Sequence, residues 1–143
     1  MGRRQQFCTF YLHEYLFGIE LLQVQEVIQH LELIEVPLAP FVIRGLMNLR
    51  GLIVLGVGLR RQLELPERPP GTKPRNVVVR AGEDAISLLV DDVGDVVEAD
   101  EESFEAPPET LRGRVRSVIL GVHKLEKQLM HVLDTDRACA IDK

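Results

Sequence analysis

Apolar residues in this chain recur in short runs of strand length, bounded by turn-forming residues, rather than in long helical stripes. Gln6 to Leu12 is an apolar and aromatic run, His13-Glu14 offers a turn, and Tyr15 to Glu20 reads as the return strand. The period then changes. Leu21, Val24 and Ile28 fall at i, i+3 and i+7 with Leu22 beside them, while Gln23, Gln25, Glu26 and Gln29 are polar. That spacing predicts a short amphipathic helix. Leu31 to Val36 alternates as a further strand, closed by a bend at Pro37 and Pro40.

Ile43 to Leu59 is a β-rich passage crossed by Gly45, Gly51, Gly56 and Gly58. Glycines inside strands mark bulges, corners or close backbone approaches, so this passage predicts a strongly bent barrel. Leu59 to Leu65 suits one helical turn ended by Pro66, and the Pro-rich stretch 67–74 reads as a crossing loop between two lobes. Asn76 to Arg80 and Ala85 to Val90 form a predicted hairpin, followed by strands at Val93 to Ala99, Val115 to His123 and Gln128 to Leu133. One helical turn fits after Asp134. About ten short strands at this spacing, without long alternating helices, predict a mostly β fold of the sandwich or barrel kind. A single domain over 6–135, with lobes at 6–66 and 75–135 and room for strand exchange between them, is the expected organisation.

Composition narrows the function more than the fold. Only 5% of the 143 residues are aromatic and there is no Trp, so the core must be built from Val, Leu and Ile. The formal charge is −5, which argues against nucleic acid as a partner because phosphate binding rests on a basic face. Cys8 and Cys139 lack CxxC spacing and no secretory h-region follows Met1, so a cytoplasmic chain with reduced thiols is expected. The apolar runs are too short to span a bilayer, and no direct membrane insertion is expected.

A search for catalytic chemistry yields little. His13, His30, His123 and His131 show no metal-ligand spacing, and His123 and His131 read as solvated strand-end residues. Ser87, Ser103 and Ser117 lack a nucleophile elbow, and Gly71-Thr72-Lys73 runs into proline where a phosphate loop would continue. Asp91-Asp92 lies among β-hairpins and reads as a pair of turn acids. From Asp91 to Glu109 there are nine acids and no Lys or Arg, which fits a solvated face better than a steering patch. No catalytic residue, metal or cofactor is assigned.

The stretch Arg44 to Gly51 stands apart. An Arg beside glycines at a barrel corner presents a flat five-donor fork suited to carboxylates or backbone carbonyls, with Asn48 on the same strand face as Arg50. A structural pairing of Arg50 with a nearby acid explains the spacing equally well.

In order along the chain, Phe10 to Ile19 resembles the opening hairpin of the CheW family of chemotaxis coupling proteins, and Val24 to Ile28 resembles its "V-Q-E-V/I" helix. Pro37 to Gly51 looks like the signature "P-x-A-P-x-x-x-x-G-x-x-N-L-R-G", and Val90 to Val93 resembles its "V-D-x-V" turn. The likeness covers about Phe7 to Leu133. It implies two SH3-like five-stranded β-barrel lobes with short helices and no active site. It also implies an adaptor that couples the cytoplasmic tip of a chemoreceptor to the regulatory domain of a CheA-type histidine kinase.

By that resemblance Arg50, Glu26, Val24 and Asn48 are receptor-binding candidates, Gly45 and Gly51 are structural glycines of the signature, and Leu55, Val57 and Leu59 are kinase-interface candidates. The chain departs from the family's "V-P-V/I-x-D-L-R" by carrying Leu55 in place of Pro and Gly58 in place of Asp. A divergent adaptor serving a pilus, gliding or other chemotaxis-like array fits those departures. The competing class is a small-ligand barrel, for example a purine nucleotide module. It needs a concave pocket with converging polar groups, for which the sequence carries no motif.

Overall fold

The computed structural model describes residues 3–141. The strands run in chain order as β1 (Arg4–Leu12), β2 (Tyr15–Glu20), β3 (Val24–Ile28), β4 (Ile43–Leu49), β5 (Leu52–Gly58), β6 (Arg75–Ala81), β7 (Asp84–Val90), β8 (Asp92–Asp100), β9 (Phe104–Glu105), β10 (Ile119–Lys124) and β11 (Leu129–Leu133). Three short helices, α1 (Leu59–Gln62), α2 (Gly113–Ser117) and α3 (Thr135–Ala138), lie between and after them. The strands form two sheets, one ordered β8-β1-β2-β11-β10-β9 and the other β3-β6-β7-β5-β4. Each sheet contains one parallel pair, β2 with β11 and β5 with β7, and is otherwise antiparallel.

The fold is mostly β and built on two barrel-like sheets, but the sheets do not divide the chain at 67–74. That stretch joins α1 to β6 inside the five-stranded sheet. The chain passes between sheets at Leu21–Gln23 and again at Asp91, so β1 and β2 pair with strands from the far end of the chain. One sheet has six strands rather than five because the two-residue β9 adds to β10.

Side-chain alternation gives each sheet two apolar faces. Leu49, Val54 and Val78 fill the interior of the five-stranded barrel, and Phe7, Leu16, Ala99, Met130 and Val132 fill the other. The opposite faces meet in a third, larger cluster. Phe10, Leu12, Phe17 and Ile19 from the first sheet pack there with Val57, Val77, Val79 and Leu88 from the second. Val115 of α2 and Ala138 of α3 join the same cluster. The lobes therefore share one core, and burial of this kind is the main favourable term holding them together.

Three expectations from the sequence are corrected here. Leu21 to Ile28 is not an amphipathic helix: a single 3₁₀ turn at Leu21–Gln23 leads straight into β3. Leu22 is almost fully exposed, so no apolar stripe is buried, and pairing of Val24 and Val27 with Val79 and Val77 of β6 decides the conformation. Leu31 to Val36 makes only one bridge, Ile34 with Leu46. The first part of Val115 to His123 is α2, because Val115 and Val118 pack inward at helical spacing.

Asp91 sits at the second crossing between sheets. Arg60, at the start of α1, donates from Nε to Asp91 Oδ1 at 2.9 Å and from Nη2 to Oδ2 at 2.6 Å. The His13 amide, in the β1–β2 turn, donates to Oδ2 at 2.8 Å, and the Asp91 amide donates to the Tyr11 carbonyl at 3.1 Å. One carboxylate thus ties the five-stranded sheet to the first hairpin of the six-stranded one. Burial pushes the Asp91 carboxyl upward, but the Arg60 hydrogen bonds, the His13 amide and the charges of Arg60 and Arg68 outweigh it. The net result lies below the ordinary value of 3.8.

A carboxyl depressed on folding contributes stability above its unfolded pKa, and that contribution fades as pH falls through the folded value. Asp91→Asn should lower the unfolding free energy by about 2 kcal/mol near neutral pH, since it removes charge-assisted bonds from a half-buried site. In urea titrations the gap between the two proteins should close as the pH is taken below 3.8. A gap that stays constant with pH would show that the Asp91 charge is not what matters.

Candidate functional site

The β4–β5 hairpin turns in two residues, Arg50 and Gly51, between the paired Leu49 and Leu52. Both have positive φ, 51° at Arg50 and 91° at Gly51, the geometry of the tight turn that matches strand twist. Gly51 takes this conformation freely, whereas Arg50 adopts it at a cost. Asn48 Oδ1 accepts a hydrogen bond from the Gly51 amide at 2.8 Å and locks the turn. The strain thus falls on the residue whose side chain projects outward.

From that turn the Arg50 guanidinium forks onto Glu26 of β3. Nη1 donates to Oε2 at 3.0 Å and Nη2 to Oε1. The Glu26 hydrogen bonds and charge raise the Arg50 pKa further above its already high value. β3 and β4 are the two edges of the five-stranded sheet, so this pair closes the seam of the barrel. A backbone bridge supports the same seam: Ile34 and Leu46 exchange two hydrogen bonds of 2.8 Å. The Arg50 side chain remains 70% exposed while Glu26 is 24% exposed. Two of the five guanidinium N–H donors are engaged by Glu26, leaving three uncommitted on a side chain that is largely exposed.

The structure brings Arg50, Glu26 and Asn48 to one corner. Val24 and Glu26 lie on β3 rather than on a helix, and Val24 packs half-buried against the shared core. The kinase-side candidates fare differently. Val57 and Leu59 are fully buried in the shared core, so their side chains are not available to a partner. Leu55 is half-buried. Along the one face of β5 that carries Ile53, Leu55 and Val57, exposure falls from 63% to none as the strand runs under the other sheet.

Sequence reading missed the open end of that face. Leu52 and Ile53 are about two-thirds exposed and border an open groove of about 830 Å³ lined also by Leu46, Leu55, Arg80 and Ile86. The alternation of β5 was legible, but where the second sheet begins to cover it was not. Gly58, where the resembled pattern has Asp, lies beneath Arg44: a Cβ there would meet Arg44 Cγ at 2.9 Å.

His123 and His131 are not solvated strand-end residues. His123 is fully buried between Phe7 and Phe104, with its Nδ1 2.8 Å from Ser103 Oγ, and burial lowers its pKa. His131 donates from Nδ1 to the Leu16 carbonyl at 3.0 Å beside Tyr15 and Phe17. The thiols are buried and free; burial raises that of Cys8, and burial with the Asp136 charge pushes Cys139 up to about 12. Neither thiol is activated as a nucleophile. No cluster of metal-ligating side chains occurs among the described residues.

Comparison with known proteins gives a consistent picture. The family model described as a CheW-like domain matches residues 6–141. The chain is 26% identical to the chemotaxis protein CheW of Treponema pallidum over 133 residues, covering 90% of this chain and 78% of that protein. It is 26% identical to the chemotaxis protein CheW of Klebsiella aerogenes over 133 residues, covering 93% of this chain and 80% of that one. The crystal structure of the scaffolding protein TtCheW from Thermoanaerobacter tengcongensis superposes with a TM-score of 0.82 at 26% identity. It covers 92% of this chain and 89% of that one.

The two signature glycines should respond differently to substitution. A Cβ on Gly45 would lie 2.6 Å from the Ile34 carbonyl oxygen, with φ at +151°, whereas one on Gly51 meets nothing within 4 Å. Gly45→Ala should cost about 3 kcal/mol in urea unfolding, by displacing the Ile34–Leu46 bridge as well as straining the backbone, and Gly51→Ala about 1 kcal/mol. Equal losses would mean that the Gly45 contact does not hold the seam.

Proposed function

The chain belongs to the CheW-like family, and from that premise we propose that it works as a non-catalytic adaptor in the cytoplasm. In this reading it couples the cytoplasmic tip of a chemoreceptor to the regulatory domain of a CheA-type histidine kinase. The observation that carries the proposal is the Arg50 corner. Its guanidinium is held on Glu26 yet largely exposed, with three donors unspent, on a turn fixed by Asn48. Such a group is pre-organised, so a partner that binds it loses little side-chain freedom.

The receptor contacts Arg50, Glu26 and Asn48, with Gly45 and Gly51 shaping the corner. The kinase domain docks on the neighbouring apolar strip of Leu52, Ile53 and Leu55, in place of the buried Val57 and Leu59. Exposed apolar groups beside an open groove suit a protein surface better than an enclosed small-ligand site. The two surfaces adjoin along one strand. Leu55 follows Arg50 on the same hairpin, at most roughly 17 Å away at the rise of an extended chain, so the two surfaces are neighbours without overlapping. No helix of the described residues is long and apolar enough to cross a membrane.

Arg50→Ala should weaken binding of a receptor cytoplasmic hairpin by about tenfold or more in biolayer interferometry. Its melting curve should fall only slightly, because the Arg50 side of the ion pair is exposed and the Ile34–Leu46 bridge still holds the seam. If receptor binding persists and only stability drops, Arg50 is a barrel-closing residue and nothing more. Ile53→Asp should instead reduce binding of the kinase regulatory domain and leave receptor binding intact. Loss of both interactions together would contradict the division into two surfaces.

A further inference from the structure

Four arginines crowd a small cavity at the edge of the five-stranded sheet. Arg44 reaches it from β4, Arg60 and Arg61 from α1, and Arg68 from the loop before β6; Glu67 and Asp91 supply the only carboxylates among the described residues lining it. The cavity measures about 20 Å³, room for about one water or for the edge of one small anion entering from solvent. Four positive charges face two negative ones, a local excess of two.

The donors are unevenly engaged. Arg60 spends Nε and Nη2 on Asp91 and Nη1 on the Pro66 carbonyl at 2.6 Å. Arg61 donates from Nε to Glu67 at 3.1 Å and from Nη1 to the Phe41 carbonyl at 3.0 Å. Arg44 comes no nearer than 3.9 Å to Glu67, a loose ion pair. Arg68 Nη1 is buried and has no hydrogen-bond partner among the described residues. A buried guanidinium nitrogen without an acceptor is costly, and such groups in folded proteins are ordinarily satisfied. Burial lowers the Arg68 pKa, and with the charges of Arg44 and Arg60 it outweighs the opposing charges of Asp91 and Glu67. The absence of a side chain at Gly58 is what lets the Arg44 stem lie across the cavity.

We propose that this cavity is an anion-binding site in which one oxyanion or carboxylate is held between Arg44 and Arg68, with Arg60 and Arg61 fixing the walls. The anion supplies the acceptor that Arg68 Nη1 lacks and cancels part of the excess charge. Arg60 stays on Asp91 throughout, so the crossing between sheets is not disturbed. Two sources share this chemistry: a free inorganic oxyanion and the carboxylate of an acidic side chain on a docking protein.

The test titrates inorganic phosphate and, separately, acetate into the full chain at constant ionic strength, following melting temperature and the Arg Nε–Hε resonances. Saturable binding in the millimolar range, with the Arg44 and Arg68 resonances shifting, is the expected result. Phosphate binding assigns the site to a free oxyanion, and binding of acetate alone assigns it to a carboxylate; both support the proposal. Arg68→Gln should abolish saturation and, without anion at low salt, should melt no lower than the parent because it relieves repulsion. Arg68→Lys, which keeps the charge but not the fork, should fold and bind more weakly. A response to both anions that never saturates, or an Arg68→Gln variant destabilised equally at every concentration, would overturn it. The second result would mark Arg68 as a structural partner of Asp91.

Discussion

The bidentate contact between Arg60 and Asp91 is the interaction on which the rest of the structure depends. Asp91 is where the chain leaves the five-stranded sheet for the six-stranded one, and Arg60 lies in the first turn of the helix that follows β5. Joined with the His13 amide, they hold three distant parts of the sequence at one point. That fixes how the two sheets face each other, and therefore which side chains can meet in the shared core. It also sets where β5 passes under the other sheet. Ile53 is left open, Leu55 half-covered and Val57 closed, so the position of the crossing determines how much of β5 a partner can reach.

Much of this was legible in the chain. The β1–β2 hairpin, the β6–β7 hairpin, the glycine-crossed β4–β5 passage and the single turns at α1 and α3 follow from alternation and turn chemistry, which are local signals. The failures share one cause, which is that distant pairing overrode local period. Leu21 to Ile28 has helical spacing, yet β6 offers backbone partners and Val24 and Val27 take them. Residues 67–74 look like a boundary between lobes, but the real crossings lie at Leu21–Gln23 and Asp91, where composition gives no hint. His123 and His131 sit near strand ends in sequence, yet aromatic neighbours from other strands bury them. At the site, Arg50 and Glu26 were singled out, but the sequence could not show that they chelate each other across opposite sheet edges. Asp91 looks like a turn acid in the sequence because its partner lies 31 residues away.

The architecture suits an adaptor for a mechanical reason. A core shared between two sheets leaves little freedom for one to move against the other, so surfaces on this chain keep fixed relative positions. The outward-facing guanidinium and the open end of β5 are set on one hairpin whose seam is closed by the Arg50–Glu26 pair and the Ile34–Leu46 bridge. Its relatives of known structure include one described as a scaffolding protein, with 92% of this chain superposable.

In the proposed role, one copy of this chain engages receptor and kinase at the same time through adjoining surfaces. Sedimentation velocity of the chain mixed with a receptor cytoplasmic hairpin and a kinase regulatory domain tests it directly. A ternary species heavier than either binary complex is expected, with neither partner displacing the other. Mutually exclusive binding, with only the two binary complexes present at saturation, would contradict it.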